Sequence, residues 1–270
     1  MGKLLKFIVP VVLIFFAFNF NPLLGLVVLL GCIGYTVYTS LPSVYIMLGQ
    51  KNYPADVQKT FSYLEKAHKT GRMSKDNVIY YSYMCLREGR LEKAERLINS
   101  ILAFKVDADT KMKAKSNQAL LFWKQGNIDE ALEILEEIFK TYKTTSLYGT
   151  LGYLLIEKGD YEKSLAFNLE AYEFNDSNNV ILDNLGQNYC ILGKYEKAAE
   201  VYEKLWETAK PDFPVPFYNY ALVKHNLGET EDAVELLREG LGKRFTFLAA
   251  VSKEEMENKL NEFEEIINNQ

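Results

Sequence analysis

The sequence predicts an all-α protein in which an N-terminal transmembrane helical hairpin precedes a longer array of paired helices. Two observations lead to this fold class. The first fifty residues contain only two charged side chains, Lys3 and Lys6, and no acid. The remainder repeats one short glycine-containing phrase five times at a nearly constant spacing. A long apolar stretch indicates membrane helices, and a fixed period with helical patterning indicates a solenoid.

The charge distribution separates the chain into an apolar segment and an acidic body. The 270 residues carry 31 basic and 36 acidic side chains, a net charge of −5. Without Lys3 and Lys6, residues 51–270 keep 29 basic and 36 acidic groups, so the body has a net charge of −7. An acidic body with no evident basic face is unsuited to replacing the counterions of a phosphate backbone, which argues against nucleic acid as a partner.

Two apolar runs in the first fifty residues predict two membrane spans, residues 4–20 and 23–41. Each run is close to the roughly 17–25 residues that a helix needs to cross about 30 Å of hydrocarbon. Asn21-Pro22 indicates a turn between them, because proline disfavours a helical preceding residue and suits the first position of a new helix. A cleaved signal peptide and a single long bent span remain as alternatives, although a signal peptide has a shorter apolar region of about 7–15 residues.

Positive charges flank this hairpin on both sides and are missing from its turn. Lys3 and Lys6 precede the first span, and Lys51, Lys59 and Lys66 follow the second. Because cytoplasmic flanks carry the excess of lysine and arginine, both ends and the whole body are expected on the cytoplasmic side. The prediction is a multi-pass protein of the cell membrane that contacts the lipid bilayer through residues 1–50.

One phrase recurs five times in the body and sets its period. It reads GRLEKA from Gly89, GNIDEA from Gly126, GDYEKS from Gly159, GKYEKA from Gly193 and GETEDA from Gly228. Successive glycines are 37, 33, 34 and 35 residues apart. The glycine permits a sharp turn, and the acidic residue after it favours the N-terminus of the next helix. The period therefore predicts pairs of antiparallel helices.

In these phrases and the residues around them, the chain resembles the tetratricopeptide repeat (TPR) family over residues 75–245. A small residue stands seven positions before each glycine and another stands five positions after it. These residues are Ser82, Ala119, Gly152, Gly186, Ala221, Ala94, Ala131, Ser164, Ala198 and Ala233. Small side chains allow paired helices to approach to about 8–10 Å. Asn168 departs from the large packing residue of the family. The resemblance implies five repeats in a TPR-type α-solenoid, a right-handed superhelix of helix pairs.

Segments on either side extend the array. Residues 51–74 are expected to form a linker and one helix of an incomplete leading repeat, whose partner would be the continuation of the second membrane helix. Residues 246–270 are expected to hold a C-terminal capping helix, since Ser252 and Glu255 form a capping-box pattern. Four apolar residues share one face of that helix: Met256, Leu260, Phe263 and Ile267. A solenoid needs such a terminal helix to cover its last repeat.

The sequence contains no pattern that carries catalysis or holds a metal or cofactor. No P-loop, GxGxxG, HExxH or GxSxG motif occurs, and His68 and His225 lack a ligand partner at helical spacing. Cys32, Cys85 and Cys190 are isolated, so they are expected to be small buried hydrophobes rather than disulfides or zinc ligands. We therefore expect no catalytic residue, no metal, no cofactor and a protein that is not an enzyme.

By the TPR resemblance, the first helix of each pair lines a concave groove through positions three, six, nine and ten residues before the glycine. These positions, with one asparagine in the same register, give ten candidate partner-binding residues: Tyr83, Asn117, Trp123, Tyr153, Asp183, Asn184, Gln187, Tyr218, Asn219 and Leu222. Asparagine can bond a peptide backbone through a donor and an acceptor, and aromatic side chains supply contact area. Packing between helices is an alternative role for the asparagines, because asparagine is ordinary there in TPR sequences.

Two classes of function are compatible with this sequence. The first is a membrane-tethered scaffold that binds a protein or peptide partner in its groove and helps to assemble a complex at the membrane. The second is a regulatory subunit of a membrane enzyme or secretion complex, in which the partner carries the chemistry. The first class needs only residues that the chain contains.

Overall fold

A computed structural model describes residues 2–208 and 210–269, with side chains described from Ile8 onward. These residues form fourteen α-helices and no β-strand, which confirms the all-α class. The helices are Gly2–Phe20 (α1), Pro22–Asn52 (α2), Val57–Lys69 (α3), Lys75–Arg87 (α4), Leu91–Leu102 (α5), Ala108–Lys124 (α6), Ile128–Phe139 (α7), Thr145–Glu157 (α8), Tyr161–Phe174 (α9), Asn179–Ile191 (α10), Tyr195–Thr208 (α11), Val215–Asn226 (α12), Thr230–Leu241 (α13) and Lys253–Asn268 (α14). The chain divides into two compact units, Met1–Val78 and Ile79–Gln270.

The first unit opens with two helices that are separated by one residue. Asn21 is extended, with φ −160° and ψ 127°, and its side chain accepts hydrogen bonds from two backbone N–H groups in the first turn of α2. Pro22 lacks an N–H group and occupies the first helical position, as its chemistry favours. Gly25 is buried against Phe18 of α1, where a β-carbon would overlap the phenyl ring.

Among the described residues, α2 has the length and composition of a membrane span. It continues through Pro42 to Asn52, well beyond the apolar run 23–41. That run is about 30 Å long at about 1.5 Å per residue, which corresponds to the hydrocarbon thickness of a bilayer. Only 6% of the most apolar 18-residue window of α2 is buried. Ile8–Phe20 of α1 is a shorter apolar helix.

The second half of α2 packs against α3. The Thr60 hydroxyl donates a hydrogen bond to the Gly49 carbonyl at 3.1 Å, and the rings of Tyr45 and Tyr63 stack with centroids 6.3 Å apart. Gly49 is buried at this contact, between the backbone of Thr60 and the side chains of Tyr63 and Leu64. The continuation of α2 is therefore the helix that pairs with α3, the helix that the sequence assigns to an incomplete leading repeat.

The second unit contains five helix pairs, and each pair turns at the glycine that marks it in the sequence. These glycines have φ between 69° and 88°, the left-handed region that favours glycine. In the second pair, the Gly126 N–H bonds to the Trp123 carbonyl at 3.0 Å and the Asn127 N–H bonds to the Phe122 carbonyl at 2.9 Å. This pattern is a Schellman motif, which satisfies carbonyl groups at the helix end.

Small residues stand where helices cross, as the sequence predicts for Gly152 and Gly186. A β-carbon on Gly186 would lie 2.6 Å from the ring of Tyr202, a residue of α11 that is fully buried. A β-carbon on Gly152 would overlap the Asn168 side-chain oxygen. Neither site has room for a larger side chain, so the register of the repeats is confirmed at both positions.

Asn168 is a departure from the apolar pattern that the structure explains. Its side chain is fully buried in α9, and its amide donates to the Asn188 side-chain oxygen at 2.7 Å. The Asn188 amide in turn donates to the Ser164 hydroxyl at 2.8 Å and to the Tyr161 carbonyl at 3.1 Å. A polar network thus replaces the large apolar residue expected at this position and links the third and fourth pairs.

The terminal helix α14 begins with the capping box that the sequence predicts. The Ser252 side chain accepts a hydrogen bond from the Glu255 N–H, and the Glu255 carboxylate accepts one from the Ser252 N–H at 2.7 Å. Met256 and Phe263 are buried in a cluster with residues of α12 and α13. The helix therefore covers the apolar face of the last repeat.

Candidate functional site

The ten predicted groove residues lie on the first helices of the five pairs. Tyr83 is on α4, Asn117 and Trp123 are on α6, and Tyr153 is on α8; Asp183, Asn184 and Gln187 are on α10, and Tyr218, Asn219 and Leu222 are on α12. All ten residues therefore lie on the first helix of a pair, as the sequence predicts. Their surroundings differ, and they fall into buried residues between repeats and residues with an accessible surface.

Asn117 and Asn184 hold neighbouring repeats together. The Asn117 amide donates to the Ile79 carbonyl at 3.0 Å and to the Ser82 hydroxyl at 2.9 Å, both in the preceding repeat. The Asn184 amide donates to the Gly149 carbonyl at 2.8 Å. Both side chains are buried. Their donors are therefore used in packing between helices, the alternative role that the sequence leaves open.

Asn219 and Asp183 form the equivalent link between the fourth and fifth repeats. The Asn219 amide donates to the Asp183 carboxylate at 3.1 Å, and the Tyr202 hydroxyl donates to the same oxygen at 3.0 Å. Asp183 is buried, and burial raises the pKa of its carboxyl group to about 7, although both hydrogen bonds act in the opposite direction. Asp183 and Asn219 are thus structural partners between the two repeats.

Trp123 and Tyr153 form an aromatic pair across the second and third repeats. Their ring centroids are 5.2 Å apart in an edge-to-face arrangement, and both side chains are partly accessible. The Lys124 ammonium lies 3.8 Å from the Trp123 ring centroid. Burial lowers the pKa of Lys124, while the Glu157 carboxylate opposes that shift. The site therefore combines apolar contact area with a cation and a carboxylate.

Two polar atoms near this pair make no hydrogen bond within the described part of the chain. They are the Tyr153 hydroxyl and the Gln187 side-chain oxygen, and both are buried. Burial raises the pKa of Tyr153, and the Glu157 carboxylate, which lies near enough for a weak hydrogen bond, and the Asp183 carboxylate raise it further, so the hydroxyl stays protonated as a donor. The Gln187 oxygen thus has no close donor, and the Tyr153 hydroxyl has only the weak interaction with Glu157.

The remaining predicted groove residues lie at the two ends of the array. Tyr83 in the first repeat is 37% exposed. Tyr218 and Leu222 in the fifth repeat pack against the cluster that contains Met256 and Phe263 of α14. The cap therefore covers the fifth-repeat end, whereas the second and third repeats keep the accessible aromatic surface.

A segment that the sequence analysis did not single out lies over the first two repeats. Residues 244–251, which we call the strap, lie within the connection between α13 and α14. The Phe247 N–H donates to the Arg87 carbonyl at the end of α4 at 2.8 Å, and Arg244 pairs with the Glu88 carboxylate at 2.7 Å. These contacts join residues about 160 positions apart in the chain. The signal in the sequence was an aromatic stretch, RFTF, outside the repeat pattern.

The strap also reaches the aromatic pair through Lys124. The Lys124 ammonium donates to the Ala249 carbonyl at 3.3 Å and lies 5.5 Å from the Phe247 ring centroid. The same ammonium lies against Trp123. One lysine therefore contacts both the strap and the predicted groove.

A shallow pocket of about 680 Å³ lies elsewhere, between the second helices α7 and α9. Its rim carries the ion pair of Lys158 with Asp129 and the ion pair of Lys163 with Glu136. These charges are already paired and partly exposed, which is typical of a solvated surface between helices. The pocket lacks the unused polar atoms found beside Trp123 and Tyr153.

No cluster of three histidine, cysteine or acidic side chains that could hold a metal ion occurs among the described residues. Cys85 is buried, as predicted, whereas Cys32 and Cys190 are only partly buried. Burial raises the pKa of the Cys190 thiol to about 11, which keeps it protonated and unreactive at neutral pH.

Comparison with known sequences finds tetratricopeptide repeats in the middle of the body. A tetratricopeptide repeat model matches residues 116–179, and a second model of the same description matches residues 181–209. A TPR repeat-containing protein of Methanocaldococcus jannaschii is 27% identical over 89 residues, which are 33% of this chain and 16% of that protein. The alignment thus spans about a sixth of that relative.

Two solved structures have a similar fold. A tetratricopeptide repeat protein from Parabacteroides merdae superposes with a TM-score of 0.66 and 15% identity, covering 94% of this chain and 98% of that one. A thermophilic TPR protein from Thermus thermophilus superposes with a TM-score of 0.56 and 17% identity, covering 70% of this chain and 98% of that one. At such identities the likeness extends to the helical solenoid fold alone.

Proposed function

We propose that this chain, which contains tetratricopeptide repeats over residues 116–209, is a membrane-tethered scaffold that binds a peptide segment of a protein partner. The TPR solenoid is a protein-interaction fold, so binding of a partner is the general expectation for the body. The proposal adds two specific statements. The partner binds on the first helices of the second and third repeats, and α2 holds the body at a bilayer.

The observation that carries the binding site is the group formed by Trp123, Tyr153 and Gln187. An aromatic pair supplies contact area with few rotatable bonds, and large aromatics are the side chains that most often dominate binding energy. The Tyr153 hydroxyl, which has no close partner and only a weak interaction with Glu157, and the Gln187 oxygen offer a donor and an acceptor. A peptide backbone presents both an N–H and a carbonyl, so it can satisfy the two atoms together.

The membrane tether is supported by the exposed apolar surface of α2. Large apolar side chains on its first half are widely exposed, for example Leu23 at 72%, Tyr35 at 68% and Val27 at 60%. Soluble proteins rarely expose contiguous apolar patches of this kind, whereas lipid accommodates them. With α1 as the first span and α2 as the second, the hairpin would place the body on the cytoplasmic side.

Affinity capture from detergent-solubilised membranes tests the binding site. The variant Trp123→Ala with Tyr153→Ala should reduce recovery of a stoichiometric partner by at least about tenfold, because loss of two buried aromatic contacts removes more than about 1.4 kcal/mol. Tyr161→Ala is the matched control, since Tyr161 is 40% exposed at the start of α9, a second helix. Undiminished capture by the double variant, with helicity retained, would exclude this surface.

The asparagines give a second, independent control. Asn184→Ala should lower the stability of the body, because it removes the buried hydrogen bond from the Asn184 amide to the Gly149 carbonyl. It should affect capture only in proportion to unfolding. Loss of capture by a fully folded Asn184→Ala variant would instead show direct contact between this asparagine and the partner.

A further inference from the structure

The connection between α13 and α14 is longer than the other connections between helix pairs. The four connections from α5 to α12 contain four to six residues, whereas residues 242–252 make a connection of eleven. A short connection suffices to join neighbouring helices of a bundle. The additional residues carry the strap to the first two repeats, where its contacts lie.

The backbone of the strap binds as a separate peptide would. The last carbonyl groups of a helix lack partners within that helix. The Phe247 N–H supplies a donor to one of them, Arg87 of α4. The Ala249 carbonyl supplies an acceptor to Lys124 at the end of α6. The first two repeats therefore already recognise one donor and one acceptor of an irregular segment.

The side chains of the strap add one charged contact and one aromatic contact. Arg244 pairs with Glu88, and both side chains are largely buried. The Phe247 ring lies close to Gly89, where a β-carbon would be 3.1 Å from the ring, and near Lys124. Phe247 nevertheless remains 45% exposed. The backbone hydrogen bond of Phe247 contributes only modestly to stability and its ring is half-exposed, so this part of the strap is suited to exchange.

The ends of the strap are held more firmly than its middle. Phe245, Ala249 and Val251 pack against the apolar cluster of the last repeat, and Val251 is buried. Phe247 is not part of that cluster. Residues 246–248 can consequently leave the first two repeats while Phe245, Ala249 and α14 stay on the last repeat.

We propose that the strap is an internal ligand of the groove, and that the partner is a peptide segment that replaces it at the ends of α4 and α6. The chemistry of the contacts defines that segment: a basic residue for Glu88, followed three positions later by an aromatic residue for the surface formed by Gly89 and Lys124. This inference rests on the proposed function, because Lys124, which contacts the strap, also lies against Trp123. Only molecules in which the strap is released can bind the partner. The apparent affinity is therefore the intrinsic affinity multiplied by the fraction of released molecules.

The test uses the full chain in detergent and a labelled synthetic peptide, LGKRFTFLAAVS, which corresponds to residues 241–252. In the variant Arg244→Gln with Phe247→Ser, the strap loses its charged and aromatic contacts. We expect this variant to bind the peptide about tenfold more tightly than the unmodified chain. That factor corresponds to an unmodified chain in which the strap leaves the site free in about a tenth of the molecules. Phe104→Ser is the matched control, because Phe104 is 71% exposed in another connection.

Two further measurements make the result specific. Hydrogen exchange should accelerate at Phe247 in the double variant while α14 stays protected, which shows release without unfolding. Lys124→Met, introduced into the double variant, should remove the gain in peptide binding, because it deletes the ammonium that donates a hydrogen bond to the Ala249 carbonyl. If the double variant folds and releases the strap but binds the peptide no better than the unmodified chain, the internal-ligand proposal is wrong.

That outcome differs from failure of the proposed function. If the strap peptide does not bind while capture of the partner still depends on Trp123 and Tyr153, the groove is a binding site that the strap does not imitate. If the strap peptide binds but capture is independent of Trp123 and Tyr153, the strap proposal stands and the scaffold proposal fails at this surface.

Discussion

Asp183 is a buried carboxyl group whose oxygen accepts hydrogen bonds from the Tyr202 hydroxyl and the Asn219 amide. Desolvation disfavours the charged form more strongly than these two bonds favour it, so the pKa is raised from 3.8 to about 7. The folded state thus retains a proton that the unfolded state releases between about pH 4 and pH 7. Raising the pH through this window lowers the stability that the group contributes.

Asp183→Asn should remove that pH dependence. The asparagine oxygen can accept the same two hydrogen bonds without carrying a charge. We expect the variant to gain stability relative to the unmodified chain as the pH rises from 4 to 7, by on the order of 1–4 kcal/mol, with a constant difference above pH 7. Thermal unfolding of both proteins in detergent from pH 4 to pH 8 measures the effect. A difference independent of pH would show that Asp183 is ionised throughout.

At the level of helices, the packing of α8 against α9 depends on the pair formed by Gly152 and Asn168. A β-carbon on Gly152 would overlap the Asn168 oxygen, and the Asn168 amide is fixed by its bond to Asn188. Interiors are packed closely enough that one added methyl group forces a shift of side chains or backbone. The two helices are therefore matched to each other at this crossing.

Gly152→Ala should destabilise the body by about 1–3 kcal/mol through overpacking, even though alanine has the better helix propensity by about 1 kcal/mol. Urea unfolding followed by circular dichroism measures the change. In the double variant with Asn168→Ala, the overlap is gone, so the two substitutions should cost less together than the sum of their separate effects. Simple additivity would argue against contact between the two side chains.

At the scale of the whole molecule, the hairpin proposal fixes the side of the membrane on which the body lies. Two crossings place Met1 and the repeats on the same side, and the turn at residues 19–22 carries no charge to oppose translocation. With a single crossing by α2, Met1 and the repeats would lie on opposite sides. The two arrangements differ in whether α1, whose apolar part Ile8–Phe20 is shorter than that of α2, also crosses the membrane.

Protease treatment of intact spheroplasts distinguishes the two arrangements. We expect the repeat body to survive until the membrane is lysed, because a cytoplasmic body is inaccessible from outside. A tag on the N-terminus should be protected together with the body, and a cytoplasmic protein serves as the control for lysis. Degradation of the body in intact spheroplasts, with the N-terminal tag protected, would establish a single crossing.

The elements of this protein follow from its sequence to a large extent. The glycines of the five phrases lie at left-handed turns, Asn21-Pro22 separates two helices, and Ser252 with Glu255 caps the last helix. Each of these features depends on backbone chemistry within a few residues, so local sequence is sufficient to predict it.

The repeat period alone was enough to place the groove residues on their helices. It was not enough to predict which of them pack between repeats and which have an accessible surface. Asn117, Asn184 and Trp123 lie on the same kind of helix at neighbouring positions, yet the asparagines bond to the preceding repeat and Trp123 meets Tyr153. The choice between packing and contact with a partner depends on how closely the next helix approaches. That distance results from all the side chains at the crossing together.

The sequence by itself determined the helical class, the repeat period and the positions of the turns, because these depend on the chemistry of neighbouring residues. Only the tertiary structure decided that Asn168 belongs to a buried polar network and that the strap lies on the first two repeats. Both features join residues that are remote in sequence, about 160 positions apart for Arg244 and Glu88. Such contacts depend on how separate helices pack against one another, which a pattern within a few residues does not reveal.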